Sequence, residues 1–325
     1  MPLLDVSNLK VRFKTEAGSV QALRGVSVRV EAGESVGIVG ESGSGKSVSM
    51  LSVMGLLPPN ASVAADRLAF NGRDIVGMTR REMRRLRGGE ISMIFQDPMT
   101  SLNPLLTVGQ QLSEPMRIHM RMGKASALER AIELMRMTEI SAPESRLRQY
   151  PHELSGGLRQ RVMIAMAIAC NPKLLIADEP TTALDVTIQA QILDILSELK
   201  EKLRMGIVLI THDMGVIAGL CSRVIVMYGG MICEYGTVRE IFYDTRHPYT
   251  TGLLRSIPDS DPIVKTRLLP IPGSPPDMLR PPRGCPFAPR CERAMKVCLQ
   301  YAPESARISD THAASCWLLN KPKAR

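Results

Sequence analysis

Two short segments of the chain have the composition of phosphate-binding loops, GESGSGKS at residues 40–47 and LSGG at residues 154–157. The first fits the P-loop pattern in full. Glycines let the backbone wrap around phosphates, the lysine reaches the β- and γ-phosphates, and the last serine binds magnesium. The residues predicted to surround the nucleotide are Gly40, Glu41, Ser42, Gly43, Ser44, Gly45, Lys46, Ser47 and Val48.

Two adjacent carboxylates, Asp178 and Glu179, end the apolar run LLIADEP. Two uncompensated carboxylates at a strand end need a cation to tolerate each other. We therefore expect Asp178 to hold magnesium, together with Ser47, and Glu179 to orient or activate the attacking water. A purely structural acid pair is the alternative.

Polar residues also follow two other apolar runs. Gln96 ends ISMIFQ, and its amide could contact the metal or the water and report the nucleotide state to the segment that follows. His212 follows GIVLIT. On spacing alone, contact of His212 with the γ-phosphate and an ordinary polar role stay equally open.

These residues require a parallel sheet to bring them together. Residues 35–55 are predicted as strand, glycine-rich turn and helix, with the helix beginning near Gly45. The continuous aliphatic runs in 174–180 and 206–213 are typical of parallel strands buried on both faces, separated by a helix over 188–203. Ligands of open parallel sheets bind beyond the carboxyl ends of the strands, where the polar residues fall.

The segment between about residues 107 and 157 is predicted to be a helical insertion. Within it, Leu128, Ala131, Ile132 and Met135 are spaced for one apolar helix face. The insertion directly follows Gln96 in the sequence, so we expect it to respond to the nucleotide.

Composition narrows the class of protein. With 325 residues, 44% hydrophobic and 22% charged, the chain suits one large folded domain plus an appendage, or two modest domains. Its longest apolar run, residues 162–170, is far shorter than the roughly 20 residues of a membrane span. The start of the chain does not resemble a signal peptide, which favours the cytosol.

The net charge of the chain is +9, and the positive charges are densest at residues 79–88. This cluster could bind an acidic partner, but a solvated helix face is favoured because no aromatic residues lie between the arginines.

After residues 247–258 the chain becomes rich in proline, which predicts a second, smaller and irregular domain. Its cysteines, spaced C-x5-C-x6-C-x17-C, are Cys285, Cys291, Cys298 and Cys316. Four thiolates could bind an iron–sulfur cluster or zinc, or remain unmetallated, and His312 could replace one of them. The absence of a C-x2-C pair favours the cluster. Cys170, Cys221 and Cys233 have apolar neighbours and are predicted to be buried thiols.

The order of the motifs resembles the ATP-binding subunits of ABC transporters over about residues 1–250. The motifs are the P-loop, FQDP (95–98), LSGG (154–157), LLIADEP (174–180), ALD (183–185) and THD (211–213). The resemblance implies an α/β P-loop NTPase core, a helical subdomain at about 99–160 and an N-terminal antiparallel β region. It further implies that Phe13 stacks on adenine, although a core position stays open, and that Gln96, Glu179 and His212 serve catalysis.

The same resemblance implies that LSGG closes over the nucleotide of a second subunit. Ser155, Gly156 and Gly157, with Asp185 at the same interface, would complete a site that each chain holds only in half. The backbone N–H groups at a helix N-terminus suit this role physically. Leu158 departs from the glutamine that often follows this motif, which leaves an impaired half-site as an alternative.

The tail segments HPYTTGLLRSIP, IPGSPPD and GCPFAPRC resemble the ATPases of dipeptide and oligopeptide importers. This implies an ATPase domain over 1–255 and a C-terminal domain over 256–325 that can hold a 4Fe-4S cluster through its four cysteines. Expected partners are two transmembrane permeases, a second ATPase subunit and, indirectly, a substrate-binding protein, at the cytoplasmic face of the membrane. Nickel or another small solute is an alternative cargo.

A soluble ABC ATPase that acts on nucleic acid or ribosomes is the rival class. Such proteins typically contain two cassettes or a long insertion between the P-loop and LSGG. Here one cassette is present, and only about 110 residues separate the two motifs. We therefore expect no nucleic acid partner.

Overall fold

The structure is a computed structural model that describes residues 1–182, 184–257 and 270–319. Ala183 of the ALD motif, and residues 258–269 and 320–325 of the predicted C-terminal domain, lie outside the described residues.

The described residues form thirteen strands and twelve α-helices. The strands are β1 (Leu4–Thr15), β2 (Gly18–Val30), β3 (Ser35–Val39), β4 (Ala61–Ala64), β5 (Arg67–Phe70), β6 (Arg73–Asp74), β7 (Ile91–Ile94), β8 (Leu174–Asp178), β9 (Gly206–Thr211), β10 (Arg223–Tyr228), β11 (Met231–Thr237), β12 (Ala306–Arg307) and β13 (Ala313–Ala314). The helices are α1 (Lys46–Met54), α2 (Arg80–Leu86), α3 (Pro98–Ser101), α4 (Val108–His119), α5 (Lys124–Met137), α6 (Pro143–Arg146), α7 (Gly156–Ile168), α8 (Val186–Leu203), α9 (Met214–Leu220), α10 (Val238–Tyr243), α11 (Pro248–Arg255) and α12 (Lys296–Gln300). Single 3-10 turns occupy Pro151–Glu153 and Ala288–Arg290.

The chain divides into two compact units, each assembled from separate segments. The first unit comprises Met1–Leu3, Val30–Ser35 and Ile75–Ile210. The second comprises Leu4–Arg29, Val36–Asp74 and Thr211–Arg325.

The first unit has a core of three parallel strands, β7, β8 and β9, in which β8 pairs with both neighbours. Every residue of β8 and β9 is buried, as the continuous aliphatic runs predicted. Helix α4 begins with a capping box in which Thr107 and Gln110 satisfy each other's backbone N–H groups. Helices α4, α5 and α6 lie within the segment 107–157 that was predicted to be helical, and α7 begins at its end.

Helix α5 buries a different face from the one that its spacing suggested. Ala127, Ala131, Leu134 and Met135 are fully buried, whereas Leu128 is 43% exposed. The predicted face is therefore rotated by about one residue. Periodicity places apolar residues on a helix, but the neighbouring helices decide which of them become covered.

The second unit contains two sheets. In one, β3 runs parallel to β10, and β11, β13 and β12 extend the sheet in antiparallel fashion. In the other, β1 pairs with β4 and β5 in antiparallel fashion, which confirms the predicted N-terminal β region. Strand β13 joins the C-terminal segment directly to the sheet, where Ala313 pairs with Tyr235.

In the residues that the structure describes, no helix is both long enough and apolar enough to cross a membrane.

Candidate functional site

The P-loop connects β3 to α1 in the second unit, and two of its glycines are required by close packing. A side chain at Gly40 would place its Cβ 2.2 Å from the carbonyl oxygen of Met227. At Gly45 the Cβ would lie 2.6 Å from Leu23 Cδ2. Both glycines also have positive φ, 152° and 101°. The loop therefore tolerates no larger residue at either position.

Lys46 is held over this loop. Its Nζ donates to the carbonyl oxygens of Gly40 at 2.7 Å and Glu41 at 3.1 Å, and the residue is 5% exposed. A lysine so placed presents its ammonium group at the concave side of a loop rich in backbone N–H groups. Contact of this ammonium group with the β- and γ-phosphates stays a prediction.

The Ser44 side chain is an orphaned polar group in the same loop. Its Oγ is buried and has no hydrogen-bond partner within the described part of the chain. A buried hydroxyl without a partner is costly, so an external acceptor such as a phosphate oxygen suits it. The residue set thus fits a bound polyphosphate. Ser47 and Val48 are half-buried at the start of α1, whereas Ser42 and Gly43 are exposed.

In the first unit, the structure brings Gln96 and Glu179 together across 83 residues of sequence. Gln96 Nε2 donates to Glu179 Oε2 at 3.0 Å. Glu179 directly follows β8, has a positive φ of 46°, and donates its N–H to the Ile210 carbonyl at 2.8 Å. A non-glycine residue rarely adopts this backbone, and such strain clusters at functional sites. Asp178, at the end of β8, is buried.

Thr182 is a contact that sequence reasoning missed. Its Oγ1 donates to Glu179 Oε2 at 2.9 Å, so the carboxylate oxygen is held by two side chains. The only available signal was a hydroxyl three residues after the glutamate. The amide and the hydroxyl together fix the direction in which Glu179 points.

His212 lies in the second unit, exposed, between β9 and α9. Asp213 caps α9 by accepting from the Gly215 N–H at 2.7 Å. His212 directly follows the end of β9, as predicted, and lies two residues before the start of α9.

The LSGG motif forms the N-terminus of α7 in the first unit. Ser155 is the N-cap residue, and its Oγ accepts from the Leu158 N–H at 3.4 Å. Ser155 and Gly156 are exposed, while a Cβ on Gly157 would meet Ile188 at 3.2 Å. The motif therefore presents a capped, exposed helix end whose N–H groups can face an external anion.

Asp185, predicted at the subunit interface, and Phe13, predicted to stack on adenine, are both held by regular secondary structure. Asp185 caps α8, where its Oδ1 accepts from the Ile188 N–H at 2.9 Å, and it is exposed. Phe13 lies on β1 opposite Ala61 of β4 and is half-buried. Phe13 in the second unit is thus partly accessible.

The four C-terminal cysteines of the second unit line one cavity, which His247 and Phe287 also border. The cysteines are Cys285, Cys291, Cys298 and Cys316. Burial raises the pKa of the Cys285 thiol to about 11. Among residues 1–182, 184–257 and 270–319, no group of three or more His, Cys, Asp or Glu side chains is arranged to hold a metal ion.

The remaining cysteines differ in burial. Cys221 and Cys233 are buried, as predicted, whereas Cys170 is only half-buried. Cys170 lies two residues beyond the end of α7.

His312 forms a hydrogen bond with Glu234 and does not border the cysteine cavity. Its Nε2 donates to the fully buried Glu234 at 2.8 Å. Glu234 also accepts from Thr245 Oγ1 at 3.1 Å and from the backbone N–H groups of Arg246 and His247 at 2.6 and 3.0 Å. His312 thus has a structural partner in this carboxylate, and it is not among the residues that line the cysteine cavity.

Comparison with known proteins places these features in context. The ABC transporter family model matches residues 23–182, and the model of the oligopeptide/dipeptide transporter C-terminal region matches residues 233–298. The chain is 52% identical over 319 residues to the oligopeptide transport ATP-binding protein OppD of Bacillus subtilis strain 168, covering 98% of this chain and 89% of that protein. It is also 52% identical to the dipeptide transport ATP-binding protein DppD of the same organism, covering 97% of this chain and 94% of that protein.

Solved structures resemble the fold. The dimeric structure of an ATP-binding cassette in a post-hydrolysis state, bound to ADP and inorganic phosphate, superposes with a TM-score of 0.66 at 30% identity. That match covers 73% of this chain and 99% of the cassette.

Proposed function

The chain belongs to the ABC transporter family and is an ATPase, and from this premise we propose that it drives the import of dipeptides or oligopeptides. The observation that carries the proposal is the match to peptide-transport ATP-binding proteins over nearly the whole chain, including the C-terminal region. In this proposal residues 1–255 form the ATPase domain and residues 256–325 the importer-type C-terminal domain.

The roles of the site residues follow from their chemistry. The P-loop residues 40–48 bind the phosphates, with Lys46 as the charged donor, and Phe13 contacts the adenine. Ser47, Gln96 and Asp178 are the residues that would hold magnesium, and the bound metal would screen the phosphate charge. Glu179 orients the attacking water, and His212 contacts the γ-phosphate. The hydrogen bonds of Gln96 and Thr182 to Glu179 support this assignment because they fix the direction of the base.

The second half of each site is proposed to come from a partner ATPase, either a related chain or a second copy. Ser155, Gly156 and Gly157 would donate to the partner's ATP, with Asp185 at the same interface. The exposure of Ser155 and Gly156 at the N-terminus of α7 supports this, because the first N–H groups of a helix have no partner within the helix.

A bulky substitution at Ser155 tests the shared site. We expect Ser155→Arg to lower ATP hydrolysis at the partner's site roughly 100-fold, since it removes one donor and fills the space for the phosphate. ATP affinity of the P-loop in the same chain should change little. Hydrolysis is measured in complexes where only one chain carries the change. Thr79→Arg, at the N-cap of α2, is the matched control. If Ser155→Arg instead weakens nucleotide binding to its own P-loop, the shared-site model is wrong.

Transport itself requires other subunits. We propose that two transmembrane permeases bind the helical subdomain, residues 99–160, at the cytoplasmic face of the membrane, and that a substrate-binding protein delivers the cargo. The test is purification from native membranes followed by uptake in reconstituted vesicles. Integral membrane partners and ATP-dependent uptake of labelled dipeptides or oligopeptides are expected. ATP-dependent uptake of nickel alone would change the cargo, and recovery on ribosomes or DNA would overturn the proposal.

The four cavity cysteines are proposed to hold a 4Fe-4S cluster, with zinc as the competing occupant. All four thiols line one cavity, and cysteine thiolates are the usual ligands of both groups. The described side chains do not converge on one metal position, so the proposal requires them to turn inward when the group binds. Such a group would cross-link and stabilise a proline-rich segment that has a small hydrophobic core of its own. Its role would be structural.

Metal analysis decides between the occupants. Protein purified without oxygen should be brown and contain about four irons per chain. Cys291→Ser should lower the iron content and the melting temperature, because one of the four cysteine ligands of the cluster is lost. Cys170→Ser, which lies outside the cavity, should keep the iron of the parent. Colourless protein with about one zinc per chain would reject the cluster.

A further inference from the structure

One guanidinium from the C-terminal segment, that of Arg290, binds the P-loop residue Glu41 within the second unit. Its Nη1 and Nη2 donate to the two carboxylate oxygens of Glu41 at 2.5 and 3.0 Å. This paired geometry is the strong form of the arginine–carboxylate interaction. The Arg290 side chain is 6% exposed and that of Glu41 is 26% exposed, so water screens the pair only partly.

The remaining donors of Arg290 are also occupied. Nη1 donates to Tyr228 Oη at 3.0 Å, Nη2 to the Ile271 carbonyl at 3.1 Å, and Nε to the Pro272 carbonyl at 2.8 Å. An arginine has five N–H donors, and each of them makes a hydrogen bond here. The guanidinium is therefore fixed in one orientation. A lysine could keep the charge but not this set of contacts.

The backbone of Glu41 is held by the same part of the fold. Its N–H donates to Tyr249 Oη at 2.7 Å, and Tyr249 is fully buried. The Tyr249 ring packs against Tyr228 and Phe287 at centroid distances of 4.6 and 5.2 Å. Both the backbone and the side chain of Glu41 are thus anchored by residues more than 200 positions away in the sequence.

A carboxylate within a phosphate-binding loop lowers the affinity of the loop for anions, because like charges repel. Glu41 directly follows Gly40, and Lys46 Nζ donates to the carbonyls of both residues. An uncompensated negative charge there would repel a triphosphate and would compete for the lysine ammonium. The Arg290 guanidinium neutralises this charge and adds rigidity to the loop.

We propose that Arg290 is a positioning residue for the P-loop: by neutralising and anchoring Glu41, it keeps the loop able to accept the ATP phosphates. The C-terminal segment thereby becomes part of the nucleotide site. This inference rests on the proposed role of the P-loop as the ATP site.

The test measures ATP affinity and steady-state turnover of the full chain. Arg290→Ala should weaken ATP binding about tenfold, as expected for loss of a charged hydrogen-bonding partner. Turnover at saturating ATP should fall less than about threefold, because no reacting group is removed. Arg290→Lys, which keeps the charge, should lie between the parent and Arg290→Ala. Arg283→Ala, an exposed arginine of the same segment, is the control for net charge and should bind ATP as the parent does.

A second change separates charge compensation from mere structural support. Adding Glu41→Gln to Arg290→Ala removes the uncompensated carboxylate, so ATP affinity should recover toward that of the parent. If Arg290→Ala binds ATP like the parent, or if the double variant binds no better than Arg290→Ala, the inference is wrong. Should Arg290→Ala fail to fold in a thermal melt, Arg290→Gln decides, because it removes the charge and keeps most of the side-chain volume, and parental affinity in that variant overturns the proposal.

Lys46→Met, measured in the same binding assay, separates failure of the role proposed for Arg290 from failure of the P-loop as the ATP site. Loss of ATP binding in Lys46→Met with parental binding in Arg290→Ala would reject only the role of Arg290. Parental binding in Lys46→Met would reject the P-loop as the ATP site, and the role of Arg290 with it.

Discussion

Replacing Glu179 with glutamine is expected to abolish ATP turnover while ATP binding persists. A positioned general base contributes roughly 100- to 10,000-fold to a proton-transfer step, and turnover should fall by about that factor. The glutamine keeps an oxygen that can accept from Gln96 and Thr182, so the local geometry should survive. ATP affinity should stay within about threefold of the parent, because the missing charge acts on the water and not on the bound phosphates.

The measurement pairs phosphate release with equilibrium binding of a fluorescent ATP analogue. Glu201→Gln, an exposed residue of α8, makes the same chemical change away from the site and should leave both quantities unaltered. Unchanged turnover in Glu179→Gln would remove this residue from its proposed role. A parallel loss of ATP binding and turnover would mean that the Glu179 carboxylate supports nucleotide binding and does not orient the attacking water.

Replacing Lys46 with methionine is expected to weaken ATP binding by about 100-fold or more. Each charge-assisted hydrogen bond contributes roughly 1.5–3 kcal/mol, and the ammonium group is proposed to reach two phosphates. Methionine keeps most of the buried stem, so the nearly buried position remains filled. The fold should therefore persist, and a thermal melt checks it.

Lys202→Met, an exposed position in the last turn of α8, is the matched control and should bind ATP normally. Binding is measured with and without magnesium, since the metal changes the charge that the lysine must neutralise. Parental affinity in Lys46→Met would show that the ammonium group does not contact the nucleotide.

The strands and turns of the site could be predicted because their signals are local. The P-loop pattern placed the start of α1 within one residue of Gly45, and the aliphatic runs of β8 and β9 ended at their polar residues. A buried strand needs a continuous apolar run, and a phosphate loop needs glycine where Cβ has no room. Both requirements act on neighbouring residues, so both can be seen in the sequence.

Burial of individual side chains was less predictable. The spacing of α5 pointed to Leu128, but the helix buries Ala127 and Leu134. His312 was a candidate fourth ligand for the cysteines, but Glu234 holds it. In each case the choice depends on what packs against the residue, and that partner comes from another part of the chain.

The sequence by itself identified this protein as an ATPase, because a phosphate-binding loop and a strand that ends in carboxylates each require particular residue types at short spacings. The tertiary structure alone decided how those residues are held: Gln96 on Glu179 across 83 positions, and Arg290 on Glu41 across 249. No periodicity connects residues so far apart. Their contact is set by the pairing of strands and the path of the C-terminal segment, and both depend on contacts between distant parts of the chain.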